Sequence, residues 1–113
     1  IMMDQNTAKG GVFVDFFGEK AATAQALSRL SYRTGTPIIP FFCHPTKKGT
    51  YRVKYGPELT LKKTGNKEQD IIEWTQACEK FIEKTINDTP NPWTWGHRRW
   101  KTRPPEDQGV KIY

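Results

Sequence analysis

The sequence predicts an α/β fold: a mixed sheet with a βαβ unit and a hairpin, followed by a long helix towards the C-terminus. Three observations lead to this prediction. Short β-rich runs at residues 12–17 and 38–43 lie on either side of a helical stretch. Residues 51–55 alternate between apolar and cationic side chains, as a half-buried strand does. Apolar residues then recur at helical spacing over residues 71–86.

The βαβ unit is predicted from the first of these observations. After the strand at 12–17, Thr23 is placed to cap a helix with its hydroxyl group. Gly35 offers the left-handed residue that ends a helix, and Pro37 prevents its continuation. The second strand, 38–43, would then lie parallel to the first through a right-handed crossover. The inner face of the helix is expected to consist of Ala26, Leu27, Leu30 and Thr34.

The hairpin is predicted from the alternation at residues 51–55. A basic loop at residues 44–50 connects this run to the preceding strand, so we expect the two strands to be antiparallel. One face of the new strand is expected to be buried and the other, with Arg52 and Lys54, to face water. The side chains expected on the buried face are Tyr51, Val53 and Tyr55.

The long helix is the clearest element of the sequence. Asn66, with Gln69 three residues later, resembles a capping box at its start, and Pro90 ends it. The helix would have roughly 20 residues and a length of about 30 Å. Its apolar stripe consists of Ile71, Trp74, Thr75, Cys78, Phe81, Ile82 and Ile86.

Composition indicates one domain that meets an anionic partner. The chain has 113 residues, of which 35% are hydrophobic and 27% are charged, and its formal net charge is +6 with a pI near 9.5. Residues 45–65 carry six Lys or Arg and a single acid, whereas residues 66–89 carry three lysines and six acids. This local excess of positive charge favours an anionic partner. The apolar runs are too short to span a bilayer.

The two cysteines are too few for a disulfide framework. Cys43 lies in an apolar strand and Cys78 on an apolar helix face, so both are expected to be buried and reduced. His44 follows Cys43, but the rest of a ligand set is missing, so no metal site is expected. A strand-end histidine is the favoured interpretation.

Residues 92–105 bring aromatic rings and cations together. The stretch holds three of the four tryptophans and four Lys or Arg, with no acid among them. This combination suits a surface where apolar and anionic groups meet, such as lipid headgroups or a phosphate-bearing ligand. In the alternative interpretation the tryptophans are buried, and Arg98 and Arg99 cap helices or pair with acids inside the domain. The stretch alone leaves both open.

Four segments, taken in order, carry a resemblance to a known family. They are Asp4-Gln5, residues 16–23, residues 34–42 and residues 95–105. In this order they resemble the C-terminal portion of the bacterial lipid A biosynthesis (lauroyl/myristoyl) acyltransferases, of the lysophospholipid acyltransferase superfamily. The resemblance implies an incomplete α/β sandwich, half of a glycerolipid-acyltransferase-like domain. It would occupy residues 1–105, and residues 106–113 would form a frayed tail.

The central motif of that superfamily is missing from the sequence. Its members work through a histidine followed, after four residues, by an acid. Gly49 stands at that position after His44, and Thr102 stands there after His97. The family places the motif upstream of Asp4, which only three residues precede. We therefore expect a fragment of the enzyme that is inactive alone and that self-associates through unpaired strand edges.

The resemblance also implies a reaction and a site. The parent enzyme would transfer a fatty acyl chain from acyl carrier protein or acyl-coenzyme A to a hydroxyl of a lipid A precursor or related glycolipid. It would work at the cytoplasmic face of the bacterial inner membrane, without a metal or organic cofactor. Asp4 would support catalysis, and the membrane surface and the missing N-terminal half would be further partners. The residues expected to bind substrate are Gln5, Phe17, Gly18, Thr23, Arg98 and Arg99.

The main alternative is a small basic nucleic-acid- or anion-binding domain. Basic charge combined with aromatic rings is the usual footprint of that class. However, no RNA-recognition signature surrounds the aromatic residues at 12–17, and none of the common DNA-binding motifs occurs. We therefore expect no nucleic-acid partner.

Overall fold

The computed structural model of the chain describes residues 1–110 and 112–113. Its two antiparallel hairpins and two helices confirm the predicted combination of strands and helices. In chain order the elements are β1 (Gly11–Phe16), β2 (Glu19–Ala24), α1 (Ala26–Thr34), β3 (Phe41–Pro45), β4 (Tyr51–Tyr55) and α2 (Lys67–Asp88). Two single-turn 3-10 helices follow, at Trp95–His97 and Pro105–Asp107.

The expected βαβ unit and mixed sheet are wrong. β1 pairs with β2 in antiparallel register, and only Phe17 and Gly18 separate the two strands. Both turn residues have positive φ, 51° and 85°, as a type I′ hairpin turn requires. Thr23, expected to cap a helix, is fully buried within β2, and α1 begins at Ala26. The turn was missed because a phenylalanine rarely adopts positive φ, so Phe-Gly is a weaker turn signal than Asn-Gly.

Helix α1 packs Leu27 of the predicted inner face against the core, but it also buries hydroxyl groups there. Ser28 and Ser31 are buried, whereas Leu30 is 41% exposed. The Ser28 hydroxyl oxygen lies 2.9 Å from that of Thr75 on α2, within a buried hydrogen bond. The predicted helix end is confirmed, because Gly35 adopts φ 73° and its N–H donates to the Ser31 carbonyl.

β3 and β4 form the predicted antiparallel hairpin, but its burial differs from expectation. Tyr51 and Tyr55 are about three-quarters exposed, at 74% and 75%, and Val53 is 47% exposed. The opposite face of the hairpin points inward, where Phe42 stacks on Phe81 of α2 with ring centroids 5.7 Å apart. Alternation correctly identified the two faces of the strand. It could not identify which of them α2 covers.

The two free cysteines have different environments. Cys78 is buried in α2 as predicted, and burial raises the pKa of its thiol to about 11. Cys43 is exposed on the outer side of β3, so its predicted burial is wrong.

Helix α2 confirms the prediction for residues 67–88 and organises the rest of the chain. The Asn66 side chain accepts a hydrogen bond from the Gln69 N–H at 3.3 Å, which is one half of the predicted capping box. The other half is absent, because the Asn66 N–H donates to the Thr64 hydroxyl at 3.4 Å instead. In the first turn, Asp70 accepts hydrogen bonds from the N–H and the hydroxyl of Thr64, at 2.9 and 2.6 Å.

The core lies between the first hairpin and α2. The side chains of α2 also hold the backbone of this hairpin: Gln76 accepts from the Asp15 N–H at 2.7 Å and donates to the Asp15 carbonyl at 2.9 Å. Two turns later, Glu83 accepts from the Phe17 N–H at 2.7 Å. The buried apolar side chains of this core are Met3, Phe16, Ala21, Ile38, Cys78, Ile82 and Ile86.

Gly56, directly after β4, lies where no side chain fits. Its N–H donates to the Pro40 carbonyl at 2.8 Å, and a Cβ at this position would clash with the Phe81 ring and lie 2.9 Å from Pro40 Cγ. We expect Gly56→Ala to destabilise the fold by about 1–3 kcal/mol, the usual cost of overpacking. Thermal unfolding measures this, with Gly96→Ala as the control because a Cβ there meets nothing closer than 3.8 Å. Equal melting temperatures for the two variants would contradict the packing described.

Candidate functional site

Arg99, from the Trp-rich stretch, is buried at the centre of the domain. It is 2% exposed, and its guanidinium donates to Glu79 Oε1 from Nε at 3.2 Å and from Nη2 at 2.9 Å. Nη1 donates to the Ala22 carbonyl at 2.9 Å, and Nη2 also donates to the Thr23 hydroxyl at 2.5 Å. One side chain therefore links the C-terminal stretch to β2 and to α2.

Glu79 is fully buried, and its second carboxylate oxygen, Oε2, has no hydrogen-bond partner among residues 1–110 and 112–113. Burial raises the pKa of this carboxyl group to about 7 because the charged form loses its hydration, and the Arg99 guanidinium opposes the rise. The negative charges of Glu83 and Asp4 add to the rise. The Glu79 carboxyl group therefore binds a proton more tightly than an ordinary glutamate does.

An aromatic cluster surrounds the turn of the first hairpin. The Phe16 ring lies 5.8 Å from the Trp93 ring and 5.5 Å from the Trp100 ring, and Phe17 lies 5.8 Å from Trp95, between ring centroids. The Trp100 indole N–H also donates to the Phe16 carbonyl at 3.2 Å. Trp95 is 51% exposed, so the cluster reaches the surface there.

The other cations of the Trp-rich stretch differ in exposure. Arg98 is exposed with φ 48°, and Lys101 is exposed beside it. Arg103 is mostly enclosed, with ion pairs to Glu19 at 3.2 Å and to Asp107 at 3.1 Å. Together with Trp100, Val110, Ile112 and Tyr113, these three cations line a pocket of about 180 Å³.

Asp107 and Tyr113, which follow residue 105, contact the rest of the domain. The Tyr113 hydroxyl accepts a hydrogen bond from the Trp100 N–H at 2.9 Å, and the two rings lie 6.4 Å apart. Whether residues 106–113 behave as a frayed tail remains a prediction.

A larger apolar groove of about 590 Å³ runs along the C-terminal half of α2. Its other walls are residues 1–4, residues 37–44 and Trp93. Asp4 and His44 bring a carboxylate and an imidazole to this lining. His44 Nδ1 is buried and lacks a hydrogen-bond partner in the described part of the chain.

The structure separates the residues expected to bind substrate into three places. Gln5 is exposed beside Asp4, at the end of the groove wall. Phe17 and Gly18 form the hairpin turn next to Trp95, and Arg98 is exposed. Thr23 and Arg99 are together in the interior, where the guanidinium is engaged by protein groups.

The sequence patterns did not predict a role for Glu79 or the presence of the apolar groove. Glu79 stands on the buried stripe of α2 between Cys78 and Ile82, and an acid on an apolar face signals a buried partner. That signal was present in the sequence. The groove left no signal in the sequence, because it forms from segments that lie far apart in the chain.

Metal and membrane-spanning features are not found in residues 1–110 and 112–113. No three His, Cys, Asp or Glu side chains there are grouped so that they could hold a metal ion. Neither helix in this part of the chain has the length and apolar character needed to cross a membrane.

Comparison with known proteins identifies the family. The family described as bacterial lipid A biosynthesis acyltransferase matches residues 1–102. The chain belongs to this family. The resemblance recognised in the sequence is thereby confirmed, and with it the assignment to the acyltransferases of lipid A biosynthesis.

Three relatives illustrate the match. The lipid A biosynthesis lauroyltransferase of Escherichia coli K12 is 34% identical over 100 residues, which cover 85% of this chain and 31% of the relative. The palmitoleoyltransferase of the same organism is 30% identical over 106 residues, or 92% of this chain and 33% of the relative. A Haemophilus influenzae lipid A biosynthesis acyltransferase is 27% identical over 97 residues, or 85% and 29%. The chain thus spans about a third of the length of these relatives.

Removing the buried guanidinium should destabilise the fold. Arg99→Gln leaves the Glu79 carboxylate buried without its cation, which typically costs about 3–5 kcal/mol. The neighbouring variant Arg98→Gln is the matched control, because Arg98 is exposed and its replacement should change stability little. Chemical denaturation of both variants measures the difference. Equal stabilities would show that the buried pair does not hold the C-terminal stretch in place.

The raised pKa of Glu79 should make stability depend on pH. The unfolded carboxyl has a pKa near 4.5 and the folded one a pKa of about 7, so the folded state binds the proton more tightly. Its stabilising contribution is complete below about pH 4.5 and is lost as the pH rises through about 7. From pH 5 to pH 8, the melting temperature of the natural chain should fall more than that of Glu79→Gln. Glu73→Gln, at an exposed position on the same helix, should follow the natural chain; a Glu79→Gln curve parallel to both would refute the assignment.

Proposed function

We propose that this chain forms part of an enzyme that transfers a fatty acyl chain to a hydroxyl of a lipid A precursor or related glycolipid. Acyl carrier protein or coenzyme A would carry the acyl group as a thioester. Family membership supports the reaction class. The printed names of the relatives, a lauroyltransferase and a palmitoleoyltransferase, support a fatty acyl group as the transferred unit.

The observation that carries this proposal is the position of Asp4 in the wall of the apolar groove. Ligand sites are commonly apolar concavities of about 300–1,000 Å³ with a few polar groups. A groove of about 590 Å³ lined by Ile38, Phe42 and Ile82 suits a hydrocarbon chain. Asp4 would then lie beside the reacting end of that chain and orient a catalytic group or the substrate.

The residues proposed to bind substrate have different roles in this arrangement. Thr23 and Arg99 would act indirectly, by fixing β2 and the C-terminal stretch to α2. Gln5 would contact substrate next to Asp4. Phe17 and Gly18, in the turn beside the exposed Trp95, and Arg98 would meet the phosphate or sugar groups of the donor or acceptor. A planar guanidinium suits a phosphate group because it offers paired donors.

The catalytic base would come from outside these 113 residues. A histidine with an acid after four residues is not found in the chain, and the relatives are about three times longer. The additional sequence would complete an incomplete α/β sandwich of which the two hairpins and α2 are one part. It would be a partner of this chain, along with the lipid acceptor and the cytoplasmic surface of the inner membrane. Without it, the chain would also self-associate.

The chain alone should show no acyl transfer. General-base catalysis typically contributes about 10²–10⁴ in rate, so loss of the base leaves turnover far below that of the complete relatives. The measurement is mass spectrometry of lipid products after incubation with an acyl donor and a lipid A precursor. The E. coli lauroyltransferase serves as the positive control. Turnover by the chain at a rate like that of the control would refute the proposal that it lacks the base.

A chimera tests the proposed function directly. The matching third of the E. coli lauroyltransferase is replaced by residues 1–102 of this chain, the range that matches the family. We expect the chimera to transfer acyl groups, and Asp4→Asn to lower its rate by at least about 10²-fold. Asp88→Asn, at the exposed end of α2, is the control and should leave the rate unchanged. A folded chimera without activity would contradict the proposed function. Full activity of Asp4→Asn would show that Asp4 does not support catalysis.

A further inference from the structure

The outer face of the second hairpin is apolar across its whole width. In the antiparallel register, Phe41 is opposite Tyr55, Cys43 is opposite Val53, and Pro45 is opposite Tyr51. Residues opposite one another in a strand pair project to the same side of the sheet. The three pairs therefore form a continuous surface, which we call the outer face. Phe42 and His44 alternate with them and line the groove, whose lining also includes Phe41 and Cys43 of the outer face.

No part of the described chain covers the outer face. Phe41 is 55% exposed, and the two tyrosines are the most exposed large hydrophobic side chains of the hairpin. Ile39, two residues before Phe41, is 53% exposed and extends the outer face beyond the start of β3. Soluble monomers rarely expose a large contiguous apolar surface, so this one indicates a binding partner.

The charge of the hairpin limits the choice of partner. Residues 41–57 include Lys47, Lys48, Arg52 and Lys54 and no acid. Lys47 and Lys48 lie at the tip, in a turn closed by hydrogen bonds between Thr46 and Thr50, so the tip is both ordered and cationic. Arg52 and Lys54 are opposite His44 and Phe42, so they project to the other side of the hairpin, and a second copy on the outer face would meet the tip lysines. An anionic surface would instead be attracted to them.

We propose that the outer face lies on an anionic lipid bilayer, with the tyrosine rings at the level of the headgroups and the tip cations against lipid phosphates. Tyrosine suits this depth because its ring is apolar and its hydroxyl is polar. The tip lysines, Lys47 and Lys48, add to the attraction near an anionic leaflet, so binding depends on salt. The inference rests on the proposed function only in that a lipid-modifying enzyme has its acceptor at a membrane. It assigns the membrane contact to the hairpin, whereas the sequence indicated the Trp-rich stretch.

Vesicle cosedimentation tests the assignment with the 113-residue chain. The probes are vesicles of phosphatidylglycerol mixed with phosphatidylcholine, compared with vesicles of phosphatidylcholine alone, at low and at high salt. We expect binding to the anionic vesicles at low salt only. Tyr51→Ser combined with Tyr55→Ser should weaken it by about tenfold or more, since each substitution removes apolar area from the contact. Both residues are exposed, so the variant should retain its melting temperature.

Matched variants separate the hairpin from the rest of the surface. Leu30→Ser removes a 41% exposed apolar side chain from α1 and should leave vesicle binding unchanged. Lys47→Gln with Lys48→Gln should weaken binding and its salt dependence. Arg33→Gln with Lys9→Gln, two exposed cations elsewhere, should do so less. If the tyrosine variant binds vesicles like the natural chain, or if both charge variants lose binding equally, the proposal is wrong.

Two further measurements test whether a second copy of the chain, or the remaining sequence of the enzyme, covers the outer face instead of a bilayer. Light scattering without lipid reports the mass of the chain; oligomers that the tyrosine substitutions dissociate would make this face an interface between copies and overturn the proposal. In the chimera, loss of folding caused by the same substitutions would show that the face packs against the remaining sequence, which also overturns it. An inactive chimera would contradict the proposed function and leave the vesicle result unaffected, so the two can fail separately.

Discussion

The ion pair between Glu79 and Arg99 holds together parts of the chain that the backbone keeps far apart. Arg99 reaches Ala22 and Thr23 across more than seventy residues, and Glu79 across twenty. A buried charge without a partner is costly, so each of these groups requires the others. The aromatic rings of the C-terminal stretch pack around the turn of the first hairpin. The buried ion pair and these rings together hold the stretch against the domain.

How far the sequence predicted the fold depended on how local each signal was. Helix α2 and the second hairpin were predicted because hydrophobic spacing and alternation are local properties. The first hairpin was not, since its turn relies on Phe17 in a conformation that phenylalanine rarely adopts. Burial was predicted least well, as Tyr55 and Cys43 show, because it depends on which neighbour covers a face.

Prediction of the candidate site also depended on how local each signal was. Asp4 was predicted from the resemblance, and the structure places it on the groove. For Arg99 the sequence left two interpretations open, ligand binding and pairing inside the domain, and the structure shows the internal pair with Glu79. Adjacent arginines in one motif thus have opposite environments, because Arg98 is exposed. Sequence adjacency gives no information about which of two neighbouring side chains turns inward at an irregular segment.

The hydrogen bonds between the Gln76 side chain and β1 restrict how a further strand could pair with the first hairpin. The amide side chain occupies the outward N–H and carbonyl of Asp15, where a further strand would have to pair. On the other edge, the outward carbonyl of Ala22 already accepts from Arg99 and from the Thr7 N–H. Each edge of the first hairpin therefore has outward backbone groups that already form hydrogen bonds within the same chain. A neighbouring molecule cannot extend this ladder without first displacing them, so the hairpin is shielded from edge-to-edge aggregation.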